Sequence, residues 1–167
     1  YSRSVTSLMP SNMKYIFLIL LALATTFIGY MFSRKYRIRA NFFQALLFLC
    51  QKFDIEINFS RERLKNIFLS LDEKNKSSLK GIDKNFIAFI DGDSPLDKES
   101  LFKGITFLKD DEKDMIFTFF KSLGRSDVDS QSKEVKNFQA RFESVAEKVN
   151  SDNKKYGSLS IKLGIVA

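Results

Sequence analysis

At 167 residues with 44% apolar side chains, the chain is sized for one domain with a real core. It has no histidine and one cysteine, Cys50, which removes the commonest acid–base group and metal ligand and excludes an internal disulfide. The net charge of +7 is localised: residues 1–33 hold two basic side chains, residues 34–39 hold four, and residues 40–167 hold 21 basic against 20 acidic. An excess concentrated just behind an apolar stretch points to anionic lipid as a partner and away from nucleic acid.

Residues 1–12 are polar, contain Pro10 and show no periodicity, so they are read as a leader or upstream residues, with Met13 the expected start. Residues 15–33 are nineteen positions without a charge, enough to cross a hydrocarbon core of about 30 Å as a helix. Residues 13–33 are therefore predicted to be a transmembrane helix. A cleaved signal peptide is the rival, but the run is long, lacks a small-x-small cleavage site and is followed at once by Arg34, Lys35, Arg37 and Arg39. Those four membrane-flanking basic residues place residues 34–167 in the cytoplasm by the positive-inside rule.

Behind the anchor the helix is expected to continue to about Asn58, because Phe43, Leu46, Cys50, Phe53 and Ile57 step by three and four. Ser60 is placed to cap a second helix carrying Leu64, Ile67, Phe68 and Leu71 on one face. Residues 72–81 are polar, Lys-rich and broken by Ser, which reads as a loop. Asp83 opens a short helix bearing Phe86, Ile87 and Ile90 and stopped by Gly92. Ser94, Pro95 and Asp97 then read as an N-cap, a first helical residue and an acid in the first turn of another short helix, through about Phe102. Asp110, Asp111 and Glu112 favour a helix N-terminus, opening a helix that Gly124 would close in a left-handed C-cap.

Ser126 or Asp127 can cap the next helix, so two helices are expected to meet at a tight corner, Leu123-Gly124-Arg125-Ser126-Asp127. From Val128 the positions Gln131, Val135, Phe138, Phe142, Val145, Val149, Asp152, Tyr156, Leu159 and Leu163 recur at three and four, the seam of a helix packed lengthwise on a partner. Such a helix to Ala167 would be roughly 60 Å long. Gln131, polar on that seam, is expected either to be buried and tie the register through hydrogen bonds or to be exposed at the bundle's end. No segment alternates with period two, so the fold class is all-α: a helical bundle with a long C-terminal helix, preceded by one transmembrane helix.

The sequence carries no motif from which a site of chemistry is expected. Asp91-Gly92-Asp93 lacks the closing Glu of a calcium loop, since the twelfth position is Phe102. Asp110, Asp111, Glu112 and Asp114 are consecutive or nearly so, as a solvated helix start would have them. Neither Gly124 nor Gly157 belongs to a phosphate-binding loop. Cys50 lies between apolar residues and reads as a structural thiol. No enzyme, catalytic residue, metal or cofactor is expected.

Leu123-Gly124-Arg125-Ser126-Asp127 with Gln131 resembles the Leu-Gly-x-Ser/Thr-Asp-x-x-x-Gln corner of the stage III sporulation protein AB family. Glu56-Ile57-Asn58-Phe59 resembles that family's Glu-Ile-x-Tyr/Phe, and Gly29 and Tyr30 before basic residues fit its anchor. The resemblance spans residues 13–167 and implies a helical cytoplasmic domain similar to that of the type II secretion platform protein F, set between two membrane helices, with residues 163–167 the start of the second. It implies a non-enzymatic platform or adaptor in the sporulation channel between mother cell and forespore. Its partners would be a secretion-type ATPase, other channel subunits and membrane lipid, with no nucleic acid and no small-molecule substrate. The protein would lie in the mother-cell membrane facing the forespore, with its soluble part in the mother-cell cytoplasm. A membrane-anchored coiled-coil sensor is the alternative, although no input or output domain is visible. The corner itself reads as a packing signature.

Overall fold

A computed structural model describes residues 11–57, 64–93, 95–123 and 127–166. Among them are seven helices and no strand: α1 (Ser11–Ile55), α2 (Leu64–Leu69), α3 (Glu73–Leu79), α4 (Ile82–Ile90), α5 (Lys98–Leu101), α6 (Asp110–Ser122) and α7 (Val128–Val166). The all-α expectation holds.

α1 changes character along its length. Over residues 13–31 its apolar side chains point outward, with Phe17 67% and Phe27 64% exposed. From Ala40 the pattern inverts, and Phe42, Phe43, Leu46, Leu49, Cys50 and Phe53 are buried in a stripe repeating at three and four. Water does not tolerate so long an apolar outer face, whereas a bilayer requires one. α1 is long and apolar enough to span a membrane, and without a break it becomes the central helix of the bundle. A π-type turn at Glu56 and Ile57 ends it.

α7 lies antiparallel along α1. Ser132 sits beside Asp54, and further along α7 the ring of Phe142 meets Phe43, 6.5 Å between centroids, further back along α1. Gln131, Val135, Phe138, Phe142 and Val149 of the expected seam are buried and Val145 is half-buried, with Ser132 and Ala146 buried beside them. The shorter helices fill the rest of the core through phenylalanine. Phe53 of α1, Phe68 of α2, Phe86 of α4, Phe119 and Phe120 of α6, and Phe138 and Phe142 of α7 form a continuous run of ring contacts between 4.8 and 6.2 Å. Offset and edge contacts of this kind each add about 0.5–1.5 kcal/mol beyond the area they bury.

Two local expectations are corrected. Residues 72–81 are not a loop: α3 forms there, packs across α1 and buries Leu79. It is joined to α4 by a tight turn in which Lys80 and Gly81 both take positive φ, 57° and 94°. α5 starts later than Pro95, at Lys98, and its cap is Asp97, whose carboxylate accepts from Ser100 N at 2.7 Å. The expected continuation of the apolar helix into the bundle is found, with α1 unbroken from Ser11 to Ile55. Ser60 and Ser94, expected as caps, lie outside the described residues.

Candidate interaction surface

The sequence motifs fall at the end of the bundle far from the apolar part of α1. From residue 33 to Glu56 the helix advances roughly 35 Å at about 1.5 Å per residue. There Leu123 is buried in extended conformation after α6, and Asp127 caps α7: its Oδ1 accepts from Ser130 N at 3.0 Å, and its carbonyl accepts from Gln131 N at 2.9 Å. The hydrogen bonds from Ser130 hold the Asp127 carboxyl below the usual carboxylate range. Gly124, Arg125 and Ser126 lie outside the described residues, as does Phe59.

Ile57 is buried and Glu56 half-buried. Two residues before Glu56, Asp54 accepts from Ser132 Oγ at 2.6 Å and pairs with Lys136 at 3.5 Å. The structure thus brings the Glu56-Ile57 segment and the Asp127–Gln131 segment to one end of the α1–α7 pair. Gln131 is buried, with 8% of its surface exposed, but its side chain makes no hydrogen bond to a described residue. The register of the two helices is instead fixed by Ser132, its neighbour, a residue sequence reading missed. Its signal was present: a small hydroxyl beside the seam, one turn before Val135.

The basic flank is divided. Arg34, Lys35 and Arg37 are exposed, whereas Arg39 turns inward to a bidentate pair with Glu112, with side-chain exposures of 11% and 4%. Glu112 Oε2 also accepts from Lys109 N at 2.9 Å, closing the N-terminus of α6. Arg39 is therefore a tie between α1 and α6, and only three of the four flanking charges face outward. Nothing in the periodicity near Arg39 identifies a partner so distant in sequence.

Along the outside of the α1–α7 pair runs a shallow groove in which Phe48, 40% exposed, and Ile55, 55% exposed, alternate with Gln51, Lys136, Glu143 and Glu147. An apolar strip with polar margins is what a helix or loop of another protein would cover. Cys50 is completely buried, and desolvation pushes its thiol up to about 12, so it is no nucleophile. No group of histidine, cysteine and carboxylate side chains among the described residues is arranged to hold a metal.

The sequence pattern of stage III sporulation protein AB matches residues 14–167, nearly the whole chain. The chain belongs to that family. No curated relative and no solved structure matches it, so the assignment rests on that match. Family membership makes the protein sporulation-related, and α1 supplies its candidate membrane helix.

Proposed function

We propose that the protein is a non-enzymatic, membrane-anchored platform in the sporulation channel between mother cell and forespore, and that its bundle, in the mother-cell cytoplasm, docks a secretion-type ATPase and other channel subunits. The observation that carries this reading is the unbroken α1. A helix that leaves the bilayer and runs without a hinge into a phenylalanine-packed bundle fixes the bundle's height and orientation over the membrane. That is what a docking platform needs. The resemblance of the cytoplasmic domain to the type II secretion platform protein F belongs to the same reading.

The groove beside Phe48 and Ile55 is the surface offered for docking. Purification of the full chain in mild detergent from sporulating cells should bring down the ATPase, and Phe48→Glu with Ile55→Glu should lose it while the melting temperature stays within about 2 °C of the parent. Retention of the ATPase by a folded double variant, or its absence from the parent preparation, contradicts the reading.

A further inference from the structure

Where α1 leaves its apolar stretch, one of its faces is not bare. Phe27, Tyr30, Met31, Arg34, Lys35 and Ile38 form a stripe at helical spacing, and against it stands the segment between α5 and α6, through Thr106 and Phe107. Between them is a cleft of about 460 Å³. A smaller one of about 210 Å³, adjoining it, adds Tyr36 and Lys109 and shares Lys35, Thr106 and Phe107. Among the residues lining the two clefts no carboxylate occurs. Arg39 borders the smaller cleft, but Glu112 neutralises it, so Arg34, Lys35 and Lys109 supply the charge.

The wall is built and held. Gly104, at φ 78°, turns the segment, and Ile105 N donates to Phe102 O at 2.9 Å. Ile105 and Leu108 are buried, and Phe107 stands edge-on to Phe42 at 5.4 Å. Lys109 N is fixed by Glu112, itself fixed by Arg39. A site arranged before its ligand arrives loses little on ordering.

Its polarity is graded along the membrane normal. Phe27 and Met31 lie on the bilayer side, Tyr30 has the amphipathic ring favoured at interfaces, and Arg34, Lys35 and Lys109 lie beyond it. We infer that these adjoining clefts bind one anionic phospholipid, its acyl chains along Phe27 and Met31 and its phosphate between Arg34 of the larger cleft, Lys109 of the smaller and Lys35, which lines both. The inference rests on α1 being the membrane anchor and adds a defined lipid site to it. The bound lipid would clamp the segment between α5 and α6 to the anchor and set the tilt of the bundle.

The test is native mass spectrometry of the full chain in detergent titrated with phosphatidylglycerol or phosphatidylcholine, with alkaline carbonate extraction of cell membranes in parallel. A basic residue near a charged lipid surface contributes about five-fold in affinity. The parent chain should prefer phosphatidylglycerol by at least about five-fold, and Lys35→Gln and Lys109→Gln should each weaken that binding about five-fold. Thr106→Glu, which sets a like charge in the wall of an exposed position, should do the same without touching the core. Arg37→Gln, on the same flank but outside both clefts, should change nothing, and every variant should stay in the carbonate-washed membrane. Equal binding of the two lipids, or a loss for Arg37→Gln as large as for Lys35→Gln, overturns the site while leaving the anchor in place. Release of the parent chain by carbonate overturns the anchor and the site with it.

Discussion

Glu112 joins three things at one carboxylate: the guanidinium of Arg39, the backbone of Lys109 and the start of α6. Removing it leaves a buried guanidinium without a counter-charge, so Glu112→Ala should cost about 3–5 kcal/mol in denaturant unfolding, whereas Arg39→Met with Glu112→Leu should recover most of that loss. Gln131 behaves otherwise. Its side chain is mostly buried and makes no hydrogen bond to a described residue, yet its amide is not a buried unpaired group, so Gln131→Leu should raise the unfolding free energy by at most about 1 kcal/mol through added apolar burial, and a measured decrease would contradict this. Asp127 sets an acid limit. Its carboxyl is depressed in the folded chain by the bonds from Ser130, so its contribution is present above the unfolded value near pH 4 and is lost as pH falls through the lower folded value. Asp127→Asn should therefore flatten the pH dependence of stability below about pH 4 and leave its slope at pH 7 unchanged, as read from melting curves across that range.

At the scale of elements, the rings of α6 tie the bundle together. Phe119 meets Phe53, Phe120, Phe138 and Phe142, so Phe119→Ala should cost about 3–5 kcal/mol, and a double-mutant cycle with Phe142→Ala should show coupling instead of additivity. The continuity of α1 is equally open to test. Arg37 is exposed and interior to the helix, so Arg37→Pro should break one backbone hydrogen bond at a cost on the order of 3 kcal/mol. Amide exchange should then speed up around residues 33–40 with the ring core still protected. What was legible in the sequence was what repeats locally. The uncharged run of the anchor, the three-and-four spacing of Phe43 to Ile57 and Val135 to Val149, and the acids opening α6 each carry their signal within a few turns. α3 was missed because six of its seven residues are polar and it stands through Leu79 and its contact with α1. The Arg39–Glu112 pair and the clefts beside Thr106 and Phe107 were missed because they join residues far apart in sequence, which no period records.

Seen whole, the described molecule has one end that carries the candidate membrane helix and a distal end, joined by two antiparallel helices. Phe43 opposite Phe142 agrees with the register that Ser132 and Asp54 fix, so Lys155 falls level with about residue 30, at the edge of the apolar stretch, while Leu123 and Asp127 stand at the far end. The proposed docking at the groove and the proposed lipid binding at the clefts would both depend on this polarity, since it would decide which surfaces meet the bilayer and which meet other proteins. Cys50 is buried with its thiol pushed up to about 12, so cysteines introduced elsewhere can be labelled alone at neutral pH. The most direct measurement is quenching, by quenchers attached to lipid chains at known depth, of a fluorophore placed in turn at residues 20, 155 and 130 of the full chain in nanodiscs. Strong quenching at 20, partial quenching at 155 and none at 130 is the predicted result, and a label at 155 as remote from the bilayer as the label at 130 would contradict it.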